Sequence, residues 1–326
     1  MKVLPIFSCV IGILLFSHST YARPAKPRKP AVDGRIWYVG TADGRRVLSE
    51  KGKDKVWSIA SLSKMMAILV VVEAGLNLAD KTVLTDSDWA LASGGSRTRL
   101  KRKIPYPNVD LLHAALLGSD NRAVLALGRA VGLNAQALTA KMNARASAMG
   151  LKNTTFTDPT GIAHENVSTA SEVARILKAA SDNKLIAEVM RKVTYTVIEK
   201  PSNRQIVYNN TNILTRETGR RKVVAGKTGF NSSAGYCVAT LLELPGYGTV
   251  SFVVLGSSGM YQRFADVQVL VAELESLREK EARSQQARTP DKTPAKTPAK
   301  TRVEDRRRID PVQPKDEKRS RSPASK

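Results

Sequence analysis

The hydrophobic and polar positions change period several times along the chain, and each change predicts an element. A nearly unbroken apolar run from Val3 to Phe16 follows basic Met1-Lys2 and gives way to Ser17-His18-Ser19. β-type runs at 35–39 and 46–48 flank Asp43-Gly44, which predicts a hairpin. Residues 59–74 are apolar almost all round, the pattern of a helix buried inside a domain, and Gly75 supplies its stop. Further helices are predicted over 110–131, over 135–149 ended by Gly150, and over 168–180, with Ser168 or Thr169 as N-cap and Glu172 in the first turn. The period then shortens. Strands are predicted at 193–197, 223–229, 235–242 and 249–255, separated by Gly, Pro and Asn, before a closing helix over 264–279. An early hairpin, a helical middle and late strands predict one α/β (α+β) domain over 35–281. Its N- and C-terminal strands would share a mainly antiparallel sheet covered by helices.

The two ends lie outside this pattern. The first apolar run is shorter than the roughly 20 residues that span a bilayer. Thr20 and Ala22 offer small side chains at a cleavage site, so 1–22 is expected to be a secretory signal peptide cut after Ala22. Residues 23–34, rich in Pro and cations, are expected to be a flexible lead-in. Beyond 282 the composition collapses to Lys, Arg, Pro, Thr, Ser and Ala, with a Lys-Thr-Pro-Ala repeat and a net charge of +8 over 282–326. With no Leu, Met or aromatic residue to build a core, this segment is expected to be a disordered basic tail.

The whole chain carries +23, which attracts polyanions. An export signal redirects that attraction from nucleic acid to anionic envelope polymers, reached through the basic tail of a periplasmic protein. Loss of the signal removes Cys9 and leaves Cys237 alone in an apolar strand, so no intrachain disulfide forms. His18, His113 and His164 stand far apart with no metal-ligand spacing around them, and neither metal nor other cofactor is expected.

Three short patterns occur in a set order: Ser61-Leu62-Ser63-Lys64, Ser119-Asp120-Asn121 and Lys227-Thr228-Gly229. A lysine three residues after a serine on a helix can reach its hydroxyl, and a desolvated lysine among cations can lose enough basicity to take the proton. Taken singly, the three could be a helix start, a cap and a turn. Together, on a buried helix, in a helical block and on a strand, they match the order and setting of serine acyltransferases. Two look-alikes are set aside. Ser181-Asp182-Asn183 falls at a predicted helix end, and Glu73-Ala74-Gly75-Leu76-Asn77 precedes the Ser-Asp-Asn pattern instead of following it. Arg97 and Arg99 read as solvated surface.

The chain resembles the low-molecular-mass penicillin-binding proteins of the D-alanyl-D-alanine carboxypeptidase family, most closely its endopeptidase branch. The resemblance runs through Ile59-Ala60-Ser61-Leu62-Ser63-Lys64-Met65-Met66, Leu116-Leu117-Gly118-Ser119-Asp120-Asn121-Arg122-Ala123, Asp158-Pro159-Thr160-Gly161, Asn166-Val167-Ser168-Thr169-Ala170, Gly226-Lys227-Thr228-Gly229-Phe230 and Phe264-Ala265-Asp266. It implies a serine β-lactamase/DD-peptidase-like fold that hydrolyses D-alanyl bonds of peptidoglycan stem peptides and takes β-lactams as covalent inhibitors. Carried over residue by residue, Ser61 is the nucleophile and Lys64 its base. Ser119 relays a proton to the leaving amine, Lys227 sets the electrostatics of that step and helps bind a carboxylate, and Asn121 holds the substrate amide and orients Lys64. Thr228 contacts the terminal carboxylate, and the backbone N–H groups of Ser61 and of Phe230, after Gly229, form the oxyanion hole. The branch commonly has Glu where Asp120 stands, a departure that bears on substrate preference. Two other readings are a β-lactamase, opposed by the absence of a deacylating glutamate motif between Asn121 and Lys227, and a non-catalytic envelope-binding protein.

Overall fold

The computed structural model describes residues 31–217 and 221–288. The first half of the chain forms β1 (Ile36–Thr41), β2 (Val47–Lys51), β3 (Trp57–Ser58), a 3-10 turn (Ala60–Ser63), α1 (Lys64–Glu73), β4 (Lys81–Val83), α2 (Asp86–Leu91), β5 (Pro105–Pro107), α3 (Asn108–Leu116), α4 (Asn121–Ala130) and α5 (Ala135–Ala148). There follow β6 (Val167–Ser168), α6 (Ala170–Asp182), α7 (Lys184–Arg191), β7 (Thr194–Glu199), β8 (Arg204–Asn209), a second 3-10 turn (Ile213–Arg216), β9 (Lys222–Asn231), β10 (Gly235–Leu244), β11 (Gly248–Ser257) and α8 (Gln262–Arg288).

Five strands pair antiparallel in the order β2-β1-β11-β10-β9, so the two ends of the domain share one sheet as the pattern predicts. Alternation along β11 divides its side chains between two cores. Val253 and Leu255 join Met65, Met66 and Ile68 of α1, while Phe252 and Val254 join Phe264, Val267 and Leu270 of α8. Each such side chain contributes about 1.5 to 3 kcal/mol by leaving water. The sheet is thereby clamped between the helical block and the last helix. Cys237 is fully buried in β10, and burial pushes its thiol up to about 12, which leaves it protonated and inert.

Strand β9 is the sheet edge nearest the helical block, and it packs on the first 3-10 turn. Gly229 is what permits the approach. A Cβ there would lie 2.8 Å from the Ile59 carbonyl oxygen and 3.3 Å from the Ser61 nitrogen.

The structure departs from the predicted elements in several places. The helix predicted over 59–74 is α-helical only from Lys64; the 3-10 turn precedes it, and Ala60 at its start takes a φ of 47°, outside the right-handed helical range. The helix predicted over 110–131 is two helices, α3 and α4, broken at Leu117–Asp120 where Ser119 has a φ of 58°. Helix α7 and strand β8 were not predicted; Asn183 ends α6 and also caps α7, accepting from the Leu185 and Ile186 nitrogens.

Asp33 and Gly34, at the end of the expected flexible lead-in, are pinned by their N–H groups to the Asp266 carboxylate at 2.9 and 3.0 Å. The chain divides after Glu279, and the described part of the second unit is the helix from Lys280 to Arg288. Helix thus enters the span expected as tail, where Ala, Arg and Gln favour it and the first proline comes only at Pro290. The expected signal segment and the rest of the tail lie outside the described residues. No helix among the described residues is long and apolar enough to cross a membrane.

Candidate active site

Ser61 stands on the 3-10 turn between β3 and α1. The turn is braced by three bonds: Ile59 N–H to the Asn166 carbonyl at 2.9 Å, Leu62 N–H to the Ile59 carbonyl at 3.1 Å, and Ser63 Oγ to the Ala60 carbonyl at 2.8 Å. Lys64, the first residue of α1, is completely buried, and its Nζ donates to Ser61 Oγ at 2.8 Å and to the Thr160 carbonyl at 2.5 Å. Burial lowers its pKa to about 7, against the opposing pull of Asp158 and Asp120. A large fraction of this lysine is therefore a neutral amine at neutral pH, able to accept the Ser61 proton.

The loop that presents the Thr160 carbonyl is tied from within. Asp158 Oδ1 accepts from Thr160 N, Thr160 Oγ1 and Gly161 N at 2.6 to 2.9 Å, and Asn166 donates to Ser63 Oγ at 3.0 Å. Gly161, with a φ of 82°, lies so close to the nucleophile turn that a Cβ would overlap the Ala60 carbonyl oxygen.

Ser119 occupies the break between α3 and α4. Gly118 lets the Tyr208 ring come against the backbone, and Asp120 caps α4 by accepting from the Arg122 and Ala123 nitrogens at 3.0 and 3.3 Å. The other Asp120 oxygen accepts from Thr98 Oγ1 and from the Tyr208 hydroxyl at 3.5 Å. Held this way, Ser119 Oγ accepts from Lys227 Nζ at 2.9 Å. Lys227 is 1 % exposed, and burial, then the charges of Lys64 and Arg263, hold its pKa well below the usual lysine range. Asn121 is buried with its amide oxygen unpartnered among the described residues.

Thr228 Oγ1 donates to Thr211 Oγ1 at 2.8 Å, and Arg263 Nη1 donates to the Gly229 carbonyl at 3.1 Å. Phe230, half exposed, stacks on Tyr236 with ring centres 4.3 Å apart. Ser61, Ser119, Asn121, Thr228, Gly229 and Phe230 all line one cavity of about 910 Å³, with Lys64 and Lys227 bonded to its two serines. All eight site residues expected from sequence are therefore gathered in one place.

The family described as D-alanyl-D-alanine carboxypeptidase matches residues 23–258. The chain belongs to that family. The family's serine DD-peptidase chemistry makes it a hydrolase. Among relatives, the D-alanyl-D-alanine endopeptidase of Pseudomonas aeruginosa is 33% identical over 233 residues, 71% of this chain and 74% of the relative. That of Escherichia coli is 32% identical over 235 residues, 69% of this chain and 72% of the relative. The crystal structure of the Streptomyces K15 DD-transpeptidase superposes with a TM-score of 0.68 at 26% identity, covering 76% of this chain and 99% of that one. The fold is thus that of the DD-peptidases.

Several participants were not singled out from sequence. The Thr160 carbonyl, Thr211 and Arg263 reach the site only through folding, and a backbone carbonyl leaves no mark in a side-chain pattern. Arg99 is exposed, as expected of solvated surface, and there it lies over the Tyr208 ring at 4.3 Å and donates to the Val207 carbonyl. Glu73 of the look-alike motif pairs with Arg145 at 2.8 Å on the surface.

Proposed function

We propose that this chain is an exported, periplasmic serine endopeptidase that cuts D-alanyl cross-links of peptidoglycan through an acyl-enzyme on Ser61. The observation that carries the reading is the 2.8 Å approach of the buried Lys64 amine to Ser61 Oγ. Ser61 Oγ bonds to the D-alanyl carbonyl carbon while its proton passes to Lys64 Nζ. The backbone N–H groups of Ser61 and Phe230 stabilise the oxyanion. As the C–N bond breaks, Ser119 delivers its proton to the leaving amine and is refilled by the proton that Lys64 took from Ser61, so that acylation ends with Lys64 neutral again and Lys227 beside Ser119 supporting the relay. The free Asn121 amide oxygen suits a substrate N–H, and Thr228, paired with Thr211, suits the carboxylate next to the scissile bond. Water then cleaves the ester.

Among the described residues no Asp or Glu lines the cavity to activate water against a bulky acyl group, so β-lactams should remain attached as covalent inhibitors. Identity of 33% and 32% to two endopeptidases supports the cross-link as substrate. Incubation of the purified protein with a cross-linked muropeptide dimer tests the reading. Monomers should accumulate with the parent and not with Ser61→Ala; equal cleavage by both would contradict it.

The basic segment 282–326, at +8, supports a tether to anionic envelope material as part of the same proposal. Deleting 289–326 should weaken salt-sensitive binding to isolated sacculi, and unchanged binding would refute the tether.

A further inference from the structure

The cavity above Ser61 has a one-sided charge. Among the described residues, its charged lining residues are Arg216 and Arg263, and no carboxylate lines it. Arg263 is committed to the fold: it is 6 % exposed and donates to the carbonyls of Gly229 and Cys237 at 3.1 and 3.4 Å. Arg216 differs. It is exposed, its hydrogen bond is a long one of 3.5 Å to the Asn210 carbonyl, and it joins no ion pair among the described residues. The adjacent Glu217 turns its carboxylate to the Gln268 side chain and makes no ion pair with Arg216 among the described residues.

The place of Arg216 in the fold fixes which end of a substrate it would meet. It ends the 3-10 turn Ile213–Arg216, which the Asn212 side chain starts by accepting from Leu214 N at 3.3 Å. Just before the turn, Thr211 is bonded twice: its N–H to the Leu117 carbonyl at 3.1 Å, beside the break that carries Ser119, and its hydroxyl to Thr228 at 2.8 Å. The segment from Asn210 to Arg216 is thus fastened to the two elements, Ser119 and Thr228, assigned above to the leaving amine and its carboxylate. Arg216 stands on the side where the leaving group departs.

We propose that Arg216 is a specificity residue that binds a carboxylate on the leaving peptide, so that the site favours a cross-linked stem peptide over a single D-alanine as leaving group. This rests on the endopeptidase reading given above. A departing D-alanine carries one carboxylate, next to the scissile bond, within the province of Lys227 and Thr228. A departing stem peptide carries further carboxylates several bonds away, which those two cannot also hold. A guanidinium meets a carboxylate with two parallel N–H donors, and a cavity whose described lining holds no competing acid leaves that fork available. Because Arg216 is exposed, the discrimination is modest, about two- to five-fold, and weakens as salt screens it.

The test compares kcat/KM on a cross-linked muropeptide dimer with kcat/KM on an uncross-linked pentapeptide muropeptide, for the parent, Arg216→Gln, Arg216→Glu and Arg216→Lys, at low and high salt. The dimer-to-monomer ratio should fall about two- to five-fold in Arg216→Gln and further in Arg216→Glu. Lysine should restore part of it, and high salt should narrow the differences. The rate of acylation by benzylpenicillin, which releases no peptide, reports on the integrity of the site. An unchanged ratio in an active enzyme would overturn the inference alone, as would losses on dimer, monomer and benzylpenicillin in equal proportion. A parent that is acylated but cuts neither peptide would overturn the endopeptidase reading, and this inference with it.

Discussion

At the scale of single residues, the site depends on Lys64 being a poor place for a charge. Burial lowers its pKa from 10.5 to about 7, so the protonated form is disfavoured by about 5 kcal/mol relative to water. The rate of acylation should accordingly rise with pH through about 7 as the ammonium loses its proton, a profile that stopped-flow measurement with benzylpenicillin would give. The same shift acts on stability. Between about 7 and 10.5 the unfolded chain holds the Lys64 proton and the folded chain does not, so this group raises stability as pH climbs through that window. Below about 7 its full penalty is present. Lys64→Met should therefore abolish acylation, and its melting temperature relative to the parent should be more favourable at about pH 6 than at about pH 9. A difference independent of pH would show that Lys64 is not buried as a neutral amine. Both the serine and the lysine were legible in the sequence because their spacing is local; the carbonyl of Thr160 that takes the second Nζ bond, 96 residues away, was not.

At the scale of elements, two interruptions position the serines. The break between α3 and α4 turns Ser119 toward Lys227, and Asp120 stabilises it by capping one helix and holding Thr98 and Tyr208. Asp120→Ala should cost about 1 to 2 kcal/mol from the cap alone, read by denaturant unfolding, and should also slow acylation as Ser119 loses its placement. Gly161→Ala meets the Ala60 carbonyl directly and strains a φ of 82°, so acylation should fall at least about tenfold while the fold survives a penalty of about 1 to 3 kcal/mol. Wild-type acylation in either variant would remove that element from the account. Neither interruption shows in the hydrophobic pattern. Leu111 to Leu117 and Val124 to Leu127 are apolar on both sides of the break, so periodicity reads one helix, and only Gly118 hints otherwise. Ala60 gives no hint at all, since alanine ordinarily favours the helix it here declines.

At the scale of the whole molecule, the antiparallel sheet joins the chain's early and late strands and so brings Lys227 beside a helical block that carries Ser61 and Ser119. That partnership was legible from the order of element types, because late strands joined without intervening helices pair antiparallel with one another and the early hairpin offers them edges to extend the same sheet. What was not legible is how tightly the two ends are locked. Asp266 of α8 accepts from Asp33 N, Gly34 N and Ser257 Oγ, the last at 2.6 Å, joining the segment before β1 to the end of β11. Asp266→Ala should lower the melting temperature, at about 1 to 3 kcal/mol for each buried donor left unpaired, with little change in acylation. The central claim is that this assembly makes Ser61 an acylating nucleophile, and intact-mass analysis after incubation with benzylpenicillin tests it most directly. A single stable adduct on the parent, absent from Ser61→Ala, is the predicted result. No adduct with the drug left intact, or an adduct that persists in Ser61→Ala, would contradict it.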